Sequence, residues 1–128
     1  MLPTYLEHAP DGSSTRPFVQ YAQLHLLDYV FRKYDFGEED NIEHYGSPIP
    51  PSYDLNNVKV PVALFVGDHD DLACVADSEV LAEHLPNVSL FQVVEFNGWT
   101  HMDFSIAIDA DKLVYSKIIE MMQSNNQN

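Results

Sequence analysis

In the second half of the chain the apolar positions fall into two kinds of run. Val60-Pro61-Val62-Ala63-Leu64-Phe65-Val66 is continuously apolar and stops at Gly67, which is how a strand buried on both faces reads. Residues 77–85 place Val80, Leu81, His84 and Leu85 on one side of a short helix that Pro86-Asn87 stops. A second apolar strand is predicted over 90–96, with Phe91, Val93 and Val94, followed by a loop over 97–101. From 103 to 122, Ala107, Ala110, Val114, Ile118 and Met121 recur at the three- and four-residue steps of one long helix. Strand, helix, strand, helix is a βαβα unit, which predicts a parallel sheet with a right-handed crossover.

The first half predicts loop and helix. Asp11-Gly12-Ser13-Ser14-Thr15 is a turn cluster, and Arg16-Pro17 sits where a helix begins behind a Ser or Thr cap. Ala22, Leu26, Tyr29 and Val30 keep helical spacing, and Leu24, Leu27 and Phe31 widen the stripe, so a helix is predicted over 18–34. From 35 to 57, Gly37, Glu38-Glu39-Asp40, Gly46, Pro48, Pro50 and Pro51 predict an ordered loop whose Tyr45, Ile49, Tyr53 and Leu55 would seek cover. Two strands buried on both faces need neighbours, because a sheet of two is marginal in water. The expected fold class is therefore α/β, as the C-terminal part of a larger protein. A self-contained α+β domain would require a strand hidden within 35–57.

Composition narrows the function. The 128 residues are 45% hydrophobic and 12% aromatic, enough to fill the core of one small domain and too much for a disordered chain. Twenty acidic residues against six basic ones give a formal charge of −14, which repels a phosphate backbone and removes nucleic acid as a partner. No apolar run approaches the roughly 20 residues of a membrane span, so stable membrane insertion is not expected. Met1-Leu2-Pro3-Thr4-Tyr5 has neither a basic nor an apolar leader segment, so no signal peptide is expected in this chain. Cys74 stands alone and cannot form an internal disulfide, and Asn87-Val88-Ser89 is a candidate N-glycosylation triplet.

Ligands in open α/β sheets gather at the carboxyl ends of the strands. Gly67-Asp68-His69-Asp70-Asp71-Leu72 follows the first predicted strand, and Asn97-Gly98-Trp99-Thr100-His101-Met102-Asp103 follows the second. An Asp after one strand and a His after the next, about thirty residues on, is the order in which an α/β-hydrolase triad ends. Each residue also has a plainer reading. Asp68, Asp70 and Asp71 are ordinary turn formers, His101 suits a polar loop before a helix capped by Asp103, and Cys74 suits a packing position. His8, His25, His44 and His84 carry no positional argument. A metal held by Asp68, His69, Asp70 and His101 would need three consecutive ligands to converge from one tight turn, so a metal is not expected.

Taken in order, Pro50-Pro51-x-Tyr53-x-Leu55, Val60-Pro61-Val62, Gly67-x-x-Asp70-x-Leu72-Ala73, Leu85-Pro86-Asn87 and His101-x-Asp103-Phe104 resemble the acid lipases, the α/β-hydrolase family of gastric and lysosomal acid lipase. His8-x-Pro10-x-Gly12-x-Ser14 and Asp35-x-Gly37 extend the likeness over nearly the whole chain. At Asp68 the sequence departs from the family, which commonly carries an uncharged residue there. The resemblance implies that Asp70 is the triad aspartate and His101 the triad histidine. It implies that residues 57–128 are the C-terminal part of the hydrolase core and that residues 1–56 are the end of a helical cap with its connecting loop. The implied activity is that of a secreted or lysosomal serine ester hydrolase acting on neutral lipid esters, triacylglycerol or sterol ester, without a cofactor.

The nucleophile elbow G-x-S-x-G does not occur among the 128 residues. Gly12-Ser13-Ser14-Thr15-Arg16 fails at its last position, and Gly46-Ser47-Pro48 has the wrong spacing. The expectation is a C-terminal fragment, inactive alone, whose partner is the missing N-terminal core of the same enzyme. The alternative is a noncatalytic, lipase-derived binding or interaction protein.

Overall fold

The computed structural model describes residues 12–26 and 30–125, so expectations for residues 1–11, Leu27 and Tyr29 lie outside the described residues. The chain divides into two compact units, Met1–Tyr53 and Asp54–Asn128.

In the first unit, α1 (Thr15–His25) starts behind Ser14, whose hydroxyl accepts from Arg16 N at 3.3 Å. It ends at His25, well short of the predicted 34, and none of its residues is buried. Residues 30–37 form no helix, and Arg32 forms an antiparallel bridge with Ser52. The reason lies in tertiary partners. Gln23 brackets the main chain of Asp35, donating to its O at 2.8 Å and accepting from its N at 3.0 Å. Lys33 N donates to Pro51 O at 3.0 Å, and Tyr53 N donates to Phe31 O at 2.9 Å. These bonds satisfy groups that a longer helix would have used internally, so apolar spacing alone does not extend the helix.

The stretch 35–57, predicted as loop, contains α2 (Glu38–Tyr45). Glu38, Glu39 and Asp40 occupy its first turn, where acidic side chains favour the positive end of the helix dipole. Gly46 closes it in the left-handed region at φ 73° and donates to Ile42 O at 2.9 Å. Asn41, fully buried, accepts from Phe36 N at 3.0 Å and donates to Asp35 Oδ1 at 2.7 Å and Pro48 O at 2.9 Å. A side chain with three of its hydrogen bonds made can lie buried without penalty, and here it ties the chain on both sides of α2 together. Tyr45 and Leu55 are half-buried, but Ile49 and Tyr53 do not find the expected cover and remain exposed. Among the described residues of this stretch there is no strand, only the bridge at Ser52.

The second unit opens with a single 3₁₀ turn, Leu55–Asn57, and continues through β1 (Val62–Gly67), α3 (Val75–His84) and β2 (Val88–Val94). β1 and β2 pair in parallel, from Val62 opposite Val88 to Gly67 opposite Val94, with one irregularity after Val62. β1 begins two residues later than its apolar run, because Pro61 has no N–H for a ladder and Val60 is exposed. β2 begins earlier than predicted, where Asn87 O accepts from Val62 N at 2.9 Å, and stops before Phe96. Neither strand is buried along its whole length: Val66, Gly67 and Val94, at the carboxyl ends, are buried, whereas Ala63 and Ser89 are exposed. In a two-stranded sheet each strand has a single neighbour, and cover is complete only where the C-terminal segment packs.

That segment is not one helix. α4 (Asp103–Ile106) ends at Ala107, whose backbone is extended, and the helix resumes through a π-helical turn, Asp111–Tyr115, into α5 (Ser116–Asn125). The interruption leaves Ile108 exposed and brings Ala110 and Val114 onto Trp99 and Val94 as the buried core, with Phe65, Phe104, Leu113 and Ile118 packed around it. The wide turn offsets the apolar phase that a straight helix would have kept. No helix among the described residues is long and apolar enough to cross a membrane.

Candidate active site

Both strands deliver their loops to the same end of the sheet, because they run parallel. Gly67 is buried there, and the close approach of the two loops explains why it is glycine. A Cβ at Gly67 would sit 2.3 Å from Trp99 O. Three bonds then join the turn after β1 to the loop after β2. Trp99 N donates to Asp68 Oδ1 at 2.6 Å, His69 N donates to Trp99 O at 3.0 Å, and His101 Nδ1 meets Asp70 Oδ2 at 2.9 Å.

Asp70 is buried, with 3% of its side chain exposed, and His101 is half exposed. The other carboxylate oxygen of Asp70 accepts from Leu72 N at 2.9 Å and Ala73 N at 2.8 Å, so the carboxylate is oriented from its own turn. Burial pushes the Asp70 pKa up, but bonds from Ala73, His101 and Leu72, with the attraction of His101, together hold it below its ordinary value. An ionised carboxylate only accepts, so the proton between the two residues belongs to His101 Nδ1. In the neutral ring this leaves the lone pair on Nε2, which can then accept a proton from a group brought to it. Thr100 N and Oγ1 donate to Asp103 Oδ2 at 2.8 and 2.6 Å, fixing the far side of His101, and the same bonds lower the Asp103 pKa against its slight burial.

Of the three acids in the turn, the structure brings Asp70 to His101 and Asp68 to the main chain of Trp99, and leaves Asp71 exposed. His69 has 68% of its side chain exposed, with Nδ1 3.3 Å from Asp68 Oδ2. Among the described residues no group of three or more His, Cys, Asp or Glu side chains could hold a metal ion. The neighbouring cleft, lined by Phe96, Trp99, Asp103 and Ile108 among others, does not include Asp70 or His101. Asn87 lies on the exposed turn before β2, with Nδ2 3.4 Å from Lys59 O. Sequence reasoning did not single out Trp99, on which the site is built; its being the chain's one tryptophan, in a strand-end loop, was the available signal.

The lowered Asp70 pKa has a consequence for stability. Its contribution is complete above the unfolded value of about 3.9 and is lost as pH falls through the lower folded value. The stability advantage of the intact protein over Asp70→Asn, measured by urea unfolding, is therefore expected to shrink steadily as pH falls below about 3.9. An advantage that grew as pH fell below about 3.9 would contradict the hydrogen-bonded, ionised Asp70.

No family model matches the chain. The chain is similar to lipase member N of Mus musculus, 40% identical over 123 residues that cover 95% of this chain and 30% of that protein. It is 37% identical over 119 residues to the gastric triacylglycerol lipase of Mus musculus, covering 92% of this chain and 29% of the relative. To the lysosomal acid lipase/cholesteryl ester hydrolase of Homo sapiens it is 32% identical over 120 residues, covering 93% and 29%. The chain thus spans about 30% of the length of the curated relatives it matches.

Proposed function

We propose, from the premise that this chain belongs to the acid lipase family, that it supplies the acid and base of a serine ester hydrolase acting on neutral lipid esters. The observation that carries the proposal is the bond between buried Asp70 and Nδ1 of the half-exposed His101, 2.9 Å long, which engages the carboxylate through Nδ1 and not Nε2. In the complete enzyme His101 accepts the proton of the attacking serine and returns it to the leaving alcohol. Asp70 keeps the ring in the tautomer that allows this and stabilises the imidazolium that forms. The serine and the backbone donors that stabilise the oxyanion belong to a G-x-S-x-G elbow, a string these 128 residues do not contain. Residues 57–128 are read as the C-terminal part of the hydrolase core and 1–56 as the end of its cap. The relatives named gastric and lysosomal favour triacylglycerol or sterol ester as substrate and a secreted or lysosomal location, in which Asn87 is a glycosylation acceptor.

The test is complementation. The 128 residues alone are expected to leave a short-chain chromogenic ester untouched beyond the rate of free imidazole and to resist a serine-directed phosphonate. Joined to an upstream core bearing the elbow, the chain is expected to hydrolyse the ester and to be labelled at the elbow serine. Stoichiometric labelling of the 128 residues alone, or a joined enzyme whose turnover survives His101→Ala, would overturn the assignment.

A further inference from the structure

We infer that Asp68 is a positioning residue, whose carboxylate tethers the loop carrying His101 to the end of β1 through the main-chain N–H of Trp99. Its importance for chemistry rests on the reading of Asp70 and His101 given above; the tether itself rests on geometry. The loop leaves β2 at Val94 and must deliver His101 over Asp70 seven residues later. Its course includes Asn97 at φ 55° and Gly98 at φ 76°, so no regular structure dictates its path. The Asp70–His101 bond joins two side chains and sets the ring without setting the main chain that bears it. The main chain is held at Trp99 instead, from both sides of one residue: Asp68 Oδ1 takes its N–H at 2.6 Å, and its O accepts from His69 N at 3.0 Å.

Of these two bonds the one to Asp68 is charge-assisted and the stronger kind. Trp99 is 2% exposed, so an N–H stripped of its acceptor there would be a buried unpaired donor, and the loop would have to shift to satisfy it. His101 lies two residues on and shifts with it. A role confined to the turn after β1 does not describe Asp68, because Oδ1 reaches across 31 residues, and the local contact is the one between Oδ2 and the exposed His69 ring at 3.3 Å.

The experiment uses the intact protein and two readouts that need no turnover: hydrogen exchange at the Trp99 amide, and the far-downfield proton resonance of the Asp70–His101 hydrogen bond. Asp68→Ala is expected to speed Trp99 exchange by about tenfold or more and to broaden or abolish the downfield proton, with exchange in the β1–β2 ladder unchanged. Asp68→Asn keeps an oxygen facing Trp99 N and is expected to restore the resonance and most of the protection. A merely structural loss would change ladder and loop together and would not be rescued by Asn. If Asp68→Ala leaves both readouts as they are, the tether is wrong. Should Asp68→Ala fail to fold, Asp68→Ser, whose hydroxyl is too short to keep the bond to Trp99 N, decides: faster Trp99 exchange with the ladder unchanged supports the tether, and Trp99 exchange left as it is overturns it. Normal turnover in Asp70→Asn would sink the catalytic assignment and leave this inference standing.

Discussion

Asp70→Asn is expected to lower turnover by about four powers of ten in the enzyme that joins this chain to its nucleophile, with substrate binding little changed. The change is nearly isosteric, and an amide oxygen can still accept from Leu72 N and Ala73 N as Oδ1 does now. The atom facing His101 would then be an amide nitrogen, which donates. His101 Nδ1 must accept from it, so the ring proton moves to Nε2, the atom required to be bare, and the charge that stabilises the imidazolium is gone. His101→Ala is expected to be at least as damaging. The double substitution should lose little beyond the worse single change, because base and orienter act as a unit. Asp71→Asn, at an exposed position with no part in the pair, should stay within about 0.5 kcal/mol in stability and near normal in kcat. Steady-state kinetics on the four variants decide the register: a crippling Asp71→Asn beside a benign Asp70→Asn would shift the acid to another residue of the turn.

Gly67→Ala is expected to be the most damaging single-methyl addition at the strand ends. The added carbon would lie 2.3 Å from Trp99 O and 3.1 Å from Trp99 C, main-chain atoms that cannot swing aside as a side chain would. Moving them means moving a residue held at N by Asp68 and at O by His69, with its ring edge-on to Phe104 in the core. Forcing extra volume into such a site costs about 1–3 kcal/mol. Because the displaced residue stands two before His101, activity should fall with stability. Gly46→Ala is the control: it meets nothing within 4 Å but sits at φ +73°, so its cost is roughly 1–2 kcal/mol of backbone strain at the end of α2. Thermal melts with kcat measured in parallel separate the two, and a Gly67→Ala protein that melts and turns over normally would refute the close approach.

Much of the second unit was legible in the sequence. The apolar runs around Leu64 and Phe91 could only be strands, since they are too short for buried helices and end on Gly67 or follow Pro86-Asn87. Two strands separated by a helix run parallel, and parallel strands end together, so the order of elements alone brings Asp70 and His101 to one edge. What local pattern did not carry were choices between partners. Residues 30–34 carry the end of the predicted helix, but Lys33 bonds to Pro51, Phe31 to Tyr53 and Asp35 to Gln23, which holds the segment out of the helix. The turn formers at 37–46 read as loop until acidic side chains at a helix start and a left-handed Gly46 at its end are seen as caps around buried Asn41. The C-terminal stripe continues through Ala107 and Ala110 as if one helix bore both, yet Trp99 and Val94 can be covered by Ala110 and Val114 only if the helix breaks and resumes through a wide turn.

The partner of His101 was the finest of these choices. Spacing offered Asp68, Asp70 and Asp71 nearly alike, within four residues of one turn, and periodicity has no means of ranking neighbours that differ only in direction. Tertiary structure separates them by what each side chain reaches: Asp70 the imidazole of His101, Asp68 the main chain of Trp99, and Asp71 solvent. The sequence by itself determined two strands with a helix between them and the carboxyl ends at which they meet, and left the length of α1, the existence of α2 and the break before α5 to tertiary contacts. Local pattern left open which carboxylate faces the histidine, a choice that only the family resemblance made, because it depends on hydrogen bonds between residues thirty-one apart around a buried tryptophan.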